Sequence, residues 1–191
     1  MANSLNNNVK NKYLFLFAGL PGSGKSTVID AIEDLGKVIT MGDVIREEAE
    51  KRQISSSDEN FGKIAKELRE KYGPEVIAEK CVELIKNKED NVIIIDGLRS
   101  TAELEVFKRI WKCSVIAIIA SKEVRFQRIS KRERIDDTKT LDDLNERDQR
   151  EIKFGLEEVI ENAEYKIDNN SSIEESIKNA RKLVRKIIKN Y

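Results

Sequence analysis

Nine consecutive residues, Gly19-Leu20-Pro21-Gly22-Ser23-Gly24-Lys25-Ser26-Thr27, combine glycines, one lysine and adjacent hydroxyls in a spacing suited to a phosphate group. The glycines let the backbone turn tightly and approach an anion, and successive N–H groups at a helix start point at it. Lys25 would then reach the terminal phosphates, and the Ser26 hydroxyl would ligate Mg²⁺. An ordinary glycine-rich turn is the competing reading. The flanking segments oppose it: Tyr13-Leu-Phe-Leu-Phe-Ala18 reads as a buried strand, and Thr27 to Leu35 has helical apolar spacing.

Two further sets fit the same chemistry. Asp96 ends the apolar run Asn91-Val-Ile-Ile-Ile-Asp96, where a carboxylate can hold the hydration shell of Mg²⁺. Arg128, Arg132 and Arg134 lie in a basic stretch, and the first two are four apart, as a clamp on one helix face requires. Guanidinium groups stay protonated and grip phosphate oxygens in pairs, which suits phosphoryl transfer, where positioning and charge stabilisation dominate. Glu123, Glu133 and Asp136 would serve equally as partners in a surface ion-pair network.

The elements that must position these groups alternate in type. Strands are expected at Tyr13–Ala18, Lys37–Met41, Asn91–Asp96, Ser114–Ala120 and Glu164–Asp168. Helices are expected from Val44 to Lys51 after a Gly42-Asp43 start, from about Asp58 through Tyr72, and from Pro74 with Ile77, Cys81, Leu84 and Ile85 on one face. Others follow at Ala102–Trp111, over Leu141–Asn162 as one long helix weakened at Gly155, and at Ile173–Lys189. Wholly apolar strands between helices predict an α/β protein, a five-stranded parallel sheet covered on both faces in three layers. Residues 1–12 are expected to be a flexible polar N-terminus, and 13–191 a single domain.

Lysine plus arginine equal aspartate plus glutamate at 35 each, so net charge calls for neither a nucleic-acid nor a membrane partner. The basic residues of the last helix read as a solvated face. Cys81 and Cys113 have no metal-like spacing and suit reduced core thiols, pointing to the cytoplasm; no secretion signal and no membrane span is expected. With no histidine in the chain, carboxylates, lysine, arginine and backbone donors must do the chemistry. Nothing in the sequence speaks to oligomeric state.

Taken in order, the phosphate loop, Thr40-Met-Gly-Asp-Val-Ile-Arg46, Ile94-Ile-Asp-Gly-Leu-Arg99, and the Arg128/Arg132/Arg134 set with Asp136-Asp137 resemble the successive motifs of adenylate-kinase-type nucleotide kinases. From about residue 13 to 180 the chain is similar to a short archaeal branch of that group, related to adenylate kinase and dephospho-CoA kinase. The resemblance implies a P-loop NTPase fold of the nucleoside-monophosphate-kinase type, with a helical acceptor-binding insertion at about 43–88 and an arginine-rich lid at about 125–147. It implies ATP and Mg²⁺ as cofactors and a nucleotide or nucleotide-like small molecule as substrate. By position, Asp43, Arg46 and Arg99 would receive the acceptor, Asp96 would lie below the magnesium, and Arg128 and Arg132 would grip the donor. Arg134, with Arg147, would reach the transferred group, and Asn169 and Asn170 would lie where the donor adenine rests. This chain departs from the family's Asp-Gly-Phe-Pro-Arg, having Asp96-Gly-Leu-Arg-Ser, which shifts Arg99 by one; its lid is short and has no zinc-binding cysteines.

Blander roles stand beside these: a helix cap for Asp43, a pair with Glu50 for Arg46, and turn formation for Asn169 and Asn170. Among rival functions, Asn87-Lys-Glu-Asp90 spells a guanine-reading tetrapeptide but precedes Asp96 at a helix end, the wrong order for a GTP switch. An ATPase or a nucleotide-dependent regulatory or assembly factor without a small acceptor is the serious alternative, because fold does not decide function.

Overall fold

β1 (Tyr13–Ala18) lies at the centre of a parallel sheet, with β3 (Val92–Asp96) on one side and β4 (Lys112–Ile119) on the other. The computed structural model describes residues 11–131 and 140–190. Outside these three, β2 (Lys37–Thr40) pairs with β3 and β5 (Tyr165–Asp168) with β4, giving the order β2-β3-β1-β4-β5. The strand order reverses direction at β1. In an open parallel sheet that is where a crevice forms beyond the strands' C-terminal ends, and the glycine-rich loop leaves β1 at this end.

Alternate β1 side chains enter opposite layers. Leu14 and Leu16 join a core built with α2 (Met41–Lys51), α3 (Asp58–Tyr72), α4 (Val76–Lys86), α5 (Thr101–Lys108) and α8 (Leu156–Glu161). Phe15 and Phe17 join a second core with α1 (Lys25–Asp30) and α9 (Ile173–Lys189). All four side chains are fully buried, each worth roughly 1.5–3 kcal/mol of transfer free energy. Among the described residues the two remaining α-helices, α6 (Lys122–Lys131) and α7 (Leu141–Lys153), lie over the loop end of the sheet.

The expected five-stranded, two-faced sheet is therefore present, with local differences. α1 stops at Asp30, and Glu33–Leu35 forms a separate 3-10 turn, because Leu35 must swing round to start β2. α2 starts at Met41 directly from β2, earlier than the Gly42-Asp43 signal suggested, since buried Met41 anchors its first turn in the core. Pro74 lies in the turn before α4, and Leu84, expected on that helix's buried face, is 43% exposed while Val82 is buried instead. The single long helix over Leu141–Asn162 is two helices: Gly155 takes φ 106°, ending α7 through its N–H to Ile152 O at 2.9 Å before α8 restarts. Lys12, expected in a flexible N-terminus, is 1% exposed and donates to the Lys88 and Asp90 carbonyls at 2.7 and 2.8 Å. Ser57 caps α3 by accepting from Asn60 N.

Candidate nucleotide and acceptor sites

The loop after β1 is held from behind. Gly22 and Gly24 have φ of 80° and 87°, which turns the chain sharply before α1 begins at Lys25. A Cβ on Gly24 would lie 2.3 Å from Asn169 Nδ2, so this position needs glycine for both backbone and space. Asn169 is fully buried; its amide donates to Ser23 O at 2.7 Å, and its side-chain oxygen accepts from Ser176 Oγ at 2.9 Å. Arg128 donates to the same Ser23 carbonyl at 3.2 Å and to Asn169 O at 2.8 Å. Asn169 and Arg128 thus grip the loop's outer side. Asn170 lies on the exposed side of that turn, where its Oδ1 accepts from Ser121 N at 2.6 Å.

The inner side of the loop faces a cavity of about 190 Å³ formed by residues 19–27 with Gly97, Leu98, Arg99, Arg147 and Glu151. Lys25 Nζ is paired with Asp96, which ends β3 beside Phe17 of β1. The first N–H groups of α1 have no intrahelical acceptor, and the residues that carry them, Lys25, Ser26 and Thr27, all line this space. That donor set fits a polyphosphate. Ser26 lines this cavity, and among the described residues no group of three or more His, Cys, Asp or Glu side chains could hold a metal ion on its own.

A second, smaller cavity of about 90 Å³ adjoins the first and is ringed by Arg46, Arg99, Arg147 and Arg150, with Asp58 and Glu151 among them. Arg99, Arg147 and Glu151 line both cavities. Arg99 Nε meets buried Glu151 at 2.7 Å, and that carboxylate raises the guanidinium's pKa. The Arg99 backbone is set by Glu103, whose Oε2 accepts from Arg99 N at 2.9 Å while Arg69 holds its other oxygen at 2.7 Å. Arg147 Nε lies 3.2 Å from Asp58, which is also paired with Arg150. On α2, Arg46 pairs with Asp43, Nε to Oδ1 3.0 Å, and not with Glu50; both side chains are at least half exposed, and Asp43 lines neither cavity. Arg132 and Arg134 lie outside the described residues.

Sequence reasoning did not find the buried charges that brace this arrangement. Arg125 is 3% exposed; its Nη1 and Nη2 donate to Asp148 at 2.8 and 2.6 Å, and Nη1 also reaches Pro21 O at 3.0 Å. Leu144, Asp148 and Glu151 are the buried residues of α7, at i, i+4 and i+7. That spacing is an inward helix stripe in which two of three members are acids. The signal was there: a helix with so few apolar residues can pack only by turning paired charges inward.

A family model described as an AAA domain matches residues 16–154. A UPF0200/UPF0201 protein of Archaeoglobus fulgidus is 43% identical over 179 residues, covering 91% of this chain; the chain spans only 55% of that relative's length. A UPF0200 protein of Hyperthermus butylicus is 37% identical over 177 residues, covering 92% of this chain and 95% of the relative. In fold, shikimate kinase from Bacteroides thetaiotaomicron superposes with a TM-score of 0.59 at 18% identity, covering 91% of this chain and 98% of the kinase. This likeness establishes a P-loop kinase fold.

Proposed function

The chain belongs to the AAA-domain and UPF0200 families, and from that premise we propose that it is an ATP- and Mg²⁺-dependent phosphotransferase acting on a small nucleotide-like acceptor. The observation behind this reading is the pair of adjoining cavities that share Arg99, Arg147 and Glu151, one framed by the phosphate loop and the other by arginines. A hydrolase needs only the first; a group transfer needs both.

In this reading the loop amides and Lys25 bind the β- and γ-phosphates, and Lys25 leaves Asp96 to do so. Magnesium, when bound, neutralises charge on the phosphate oxygens, and Ser26 and Asp96 are the residues that would hold it or its waters. Arg99 and Arg147, at the boundary between the cavities, orient the group in transit and offset the charge that develops on it. Arg128 acts on the donor through the loop, fixing the Ser23 carbonyl; Arg132 is assigned to the donor and Arg134 to the transferred group. Asp43 and Arg46 receive the acceptor on α2; Asn170, on the exposed side of its turn, supports the donor base, and buried Asn169 acts on the donor through the loop it holds. A nucleoside monophosphate offers an ionised phosphate and needs no base; a ribose hydroxyl, as in dephospho-CoA, would use a carboxylate as proton acceptor, and Asp43 is assigned that part.

The alternative, an ATPase or nucleotide-dependent assembly factor, draws on the matched family's description as an AAA domain. A screen of the purified protein with ATP and Mg²⁺ against nucleoside monophosphates, dephospho-CoA and water separates the two. ATP consumption that requires one of the small acceptors is expected, and Lys25→Ala should abolish it while leaving the fold intact. Acceptor-independent hydrolysis as the sole activity, or full turnover by Lys25→Ala, would overturn the proposal. No helix among the described residues is long and apolar enough to cross a membrane, and both cysteines are free; we place the reaction in a reducing cytoplasm.

A further inference from the structure

Each guanidinium around the acceptor-side cavity has a protein carboxylate, but the carboxylates differ in kind. Asp43 lies one turn from Arg46 on the same exposed helix, and Glu151 is buried on α7. Asp58 comes from a different element, the first residue of α3, and spans two arginines of α7 with separate oxygens, Oδ1 toward Arg147 and Oδ2 toward Arg150. Capping does not occupy it, because Ser57 caps α3. Its side chain is 25% exposed, so water and solutes reach it. With Arg150 the contact is a hydrogen bond as well as an ion pair; with Arg147 it is an ion pair at 3.2 Å whose Nε–H is not aligned for a hydrogen bond, so Asp58 holds both guanidiniums by charge, as the anionic group of a ligand would.

We propose that Asp58 is an internal counter-anion: it holds Arg147 and Arg150 in the place of the acceptor's anionic group, is displaced when the acceptor binds, and so selects acceptors that carry a phosphate monoester. This rests on the reading above that the arginine-ringed cavity receives the acceptor. The selection follows from charge. A carboxylate ligand brings one negative charge, no more than the group it must displace, whereas a phosphate monoester near neutral pH brings about 1.5–2 and three acceptor oxygens. Arg150, which no motif singled out, becomes a binding residue on this view.

Binding of inorganic phosphate and, separately, of acetate is measured by calorimetry at low ionic strength in a Lys25→Ala background, which weakens phosphate binding at the loop equally in every variant. Asp58→Asn should bind phosphate about tenfold or more tightly than the parent, since one competing charge at contact distance has gone. It should also acquire acetate binding that the parent lacks. Asp58→Glu should behave as the parent, and adding Arg150→Gln to Asp58→Asn should remove the gain. If Asp58→Asn leaves phosphate affinity unchanged or weaker while lowering the melting temperature, Asp58 is only a brace between α3 and α7 and the proposal fails. It fails also if the gain survives Arg150→Gln. Neither result depends on ATP turnover, so a failure of the kinase reading is recognised separately, by the acceptor screen.

Discussion

Arg125 and Asp148 form a two-fold hydrogen-bonded ion pair at 2.8 and 2.6 Å, and the same guanidinium holds the Pro21 carbonyl at 3.0 Å. One buried side chain therefore joins the phosphate loop to α7, the helix that brings Arg147 and Glu151 to the boundary of the two cavities. The contact ties the Pro21 carbonyl of the loop to the helix that carries Arg147 and Glu151.

Asp148→Ala should be strongly destabilising, by about 3–5 kcal/mol, because it leaves a buried guanidinium without its counter-charge. The pair Arg125→Met with Asp148→Leu should recover most of that loss in denaturant unfolding, since two apolar groups replace the two charges. Nucleotide affinity should not recover, because a methionine side chain has no donor for the Pro21 carbonyl. Recovery of both properties would mean that the contact to the loop is incidental.

Gly24→Ala and Gly73→Ala separate backbone strain from packing. Both glycines have positive φ, 87° and 99°, but a Cβ at Gly73 meets nothing within 4 Å while one at Gly24 runs into Asn169. Gly24→Ala should lose about 1–2 kcal/mol for its left-handed backbone, and Gly73→Ala about 1–3 kcal/mol, because φ 99° with ψ 161° lies in a region essentially reserved for glycine. Only Gly24→Ala should lose nucleotide binding, measured by titration with ATP and Mg²⁺, because only there must the buried Asn169 give way. Equal effects on binding would disconnect the Asn169 contact from the loop's function.

The sheet was legible because its strands are nearly pure runs of β-branched and aromatic residues, such as Val92-Ile-Ile-Ile, that suit burial on both sides. The phosphate loop was legible because its chemistry is local, nine residues between one strand and one helix. The bracing charges were not, because each pair spans the chain: Arg69 with Glu103, Arg99 with Glu151, Arg125 with Asp148, Asp58 with Arg150. Their partners are chosen by tertiary packing, and in a chain with 35 acids and 35 bases the sequence offers too many pairings. The break at Gly155 was half legible: the glycine was visible as a weak point, but the need for α8 to turn back onto the sheet beside Ser100 is a tertiary demand.

Asp43→Asn tests the acceptor assignment. Asp43 lines neither cavity and is paired with Arg46 at 3.0 Å, so its loss should leave ATP binding unchanged while releasing Arg46. Acceptor-dependent turnover is expected to fall, by about 10²-fold or more if the carboxylate takes a proton from a hydroxyl acceptor. A fall confined to acceptor KM would instead assign Asp43 to holding Arg46. A change in ATP affinity alone would move the acceptor site away from α2.

Cys81 gives a prediction on pH. It is fully buried on α4, and burial raises its thiol pKa to about 12 from an ordinary value of 9.0. The native state therefore keeps its proton where the unfolded chain loses it. Its contribution is complete below pH 9.0 and declines as pH rises toward 12, by about 1.4 kcal/mol per pH unit in that window. Lys12 works in the opposite sense, since burial lowers its pKa, so total stability is a poor readout. The difference in slope between the wild type and Cys81→Ala removes the shared lysine. Urea unfolding at pH 8, 9 and 10 should show the wild type losing stability faster than the variant only above pH 9, and parallel slopes throughout would mean that the thiol ionises in the folded protein.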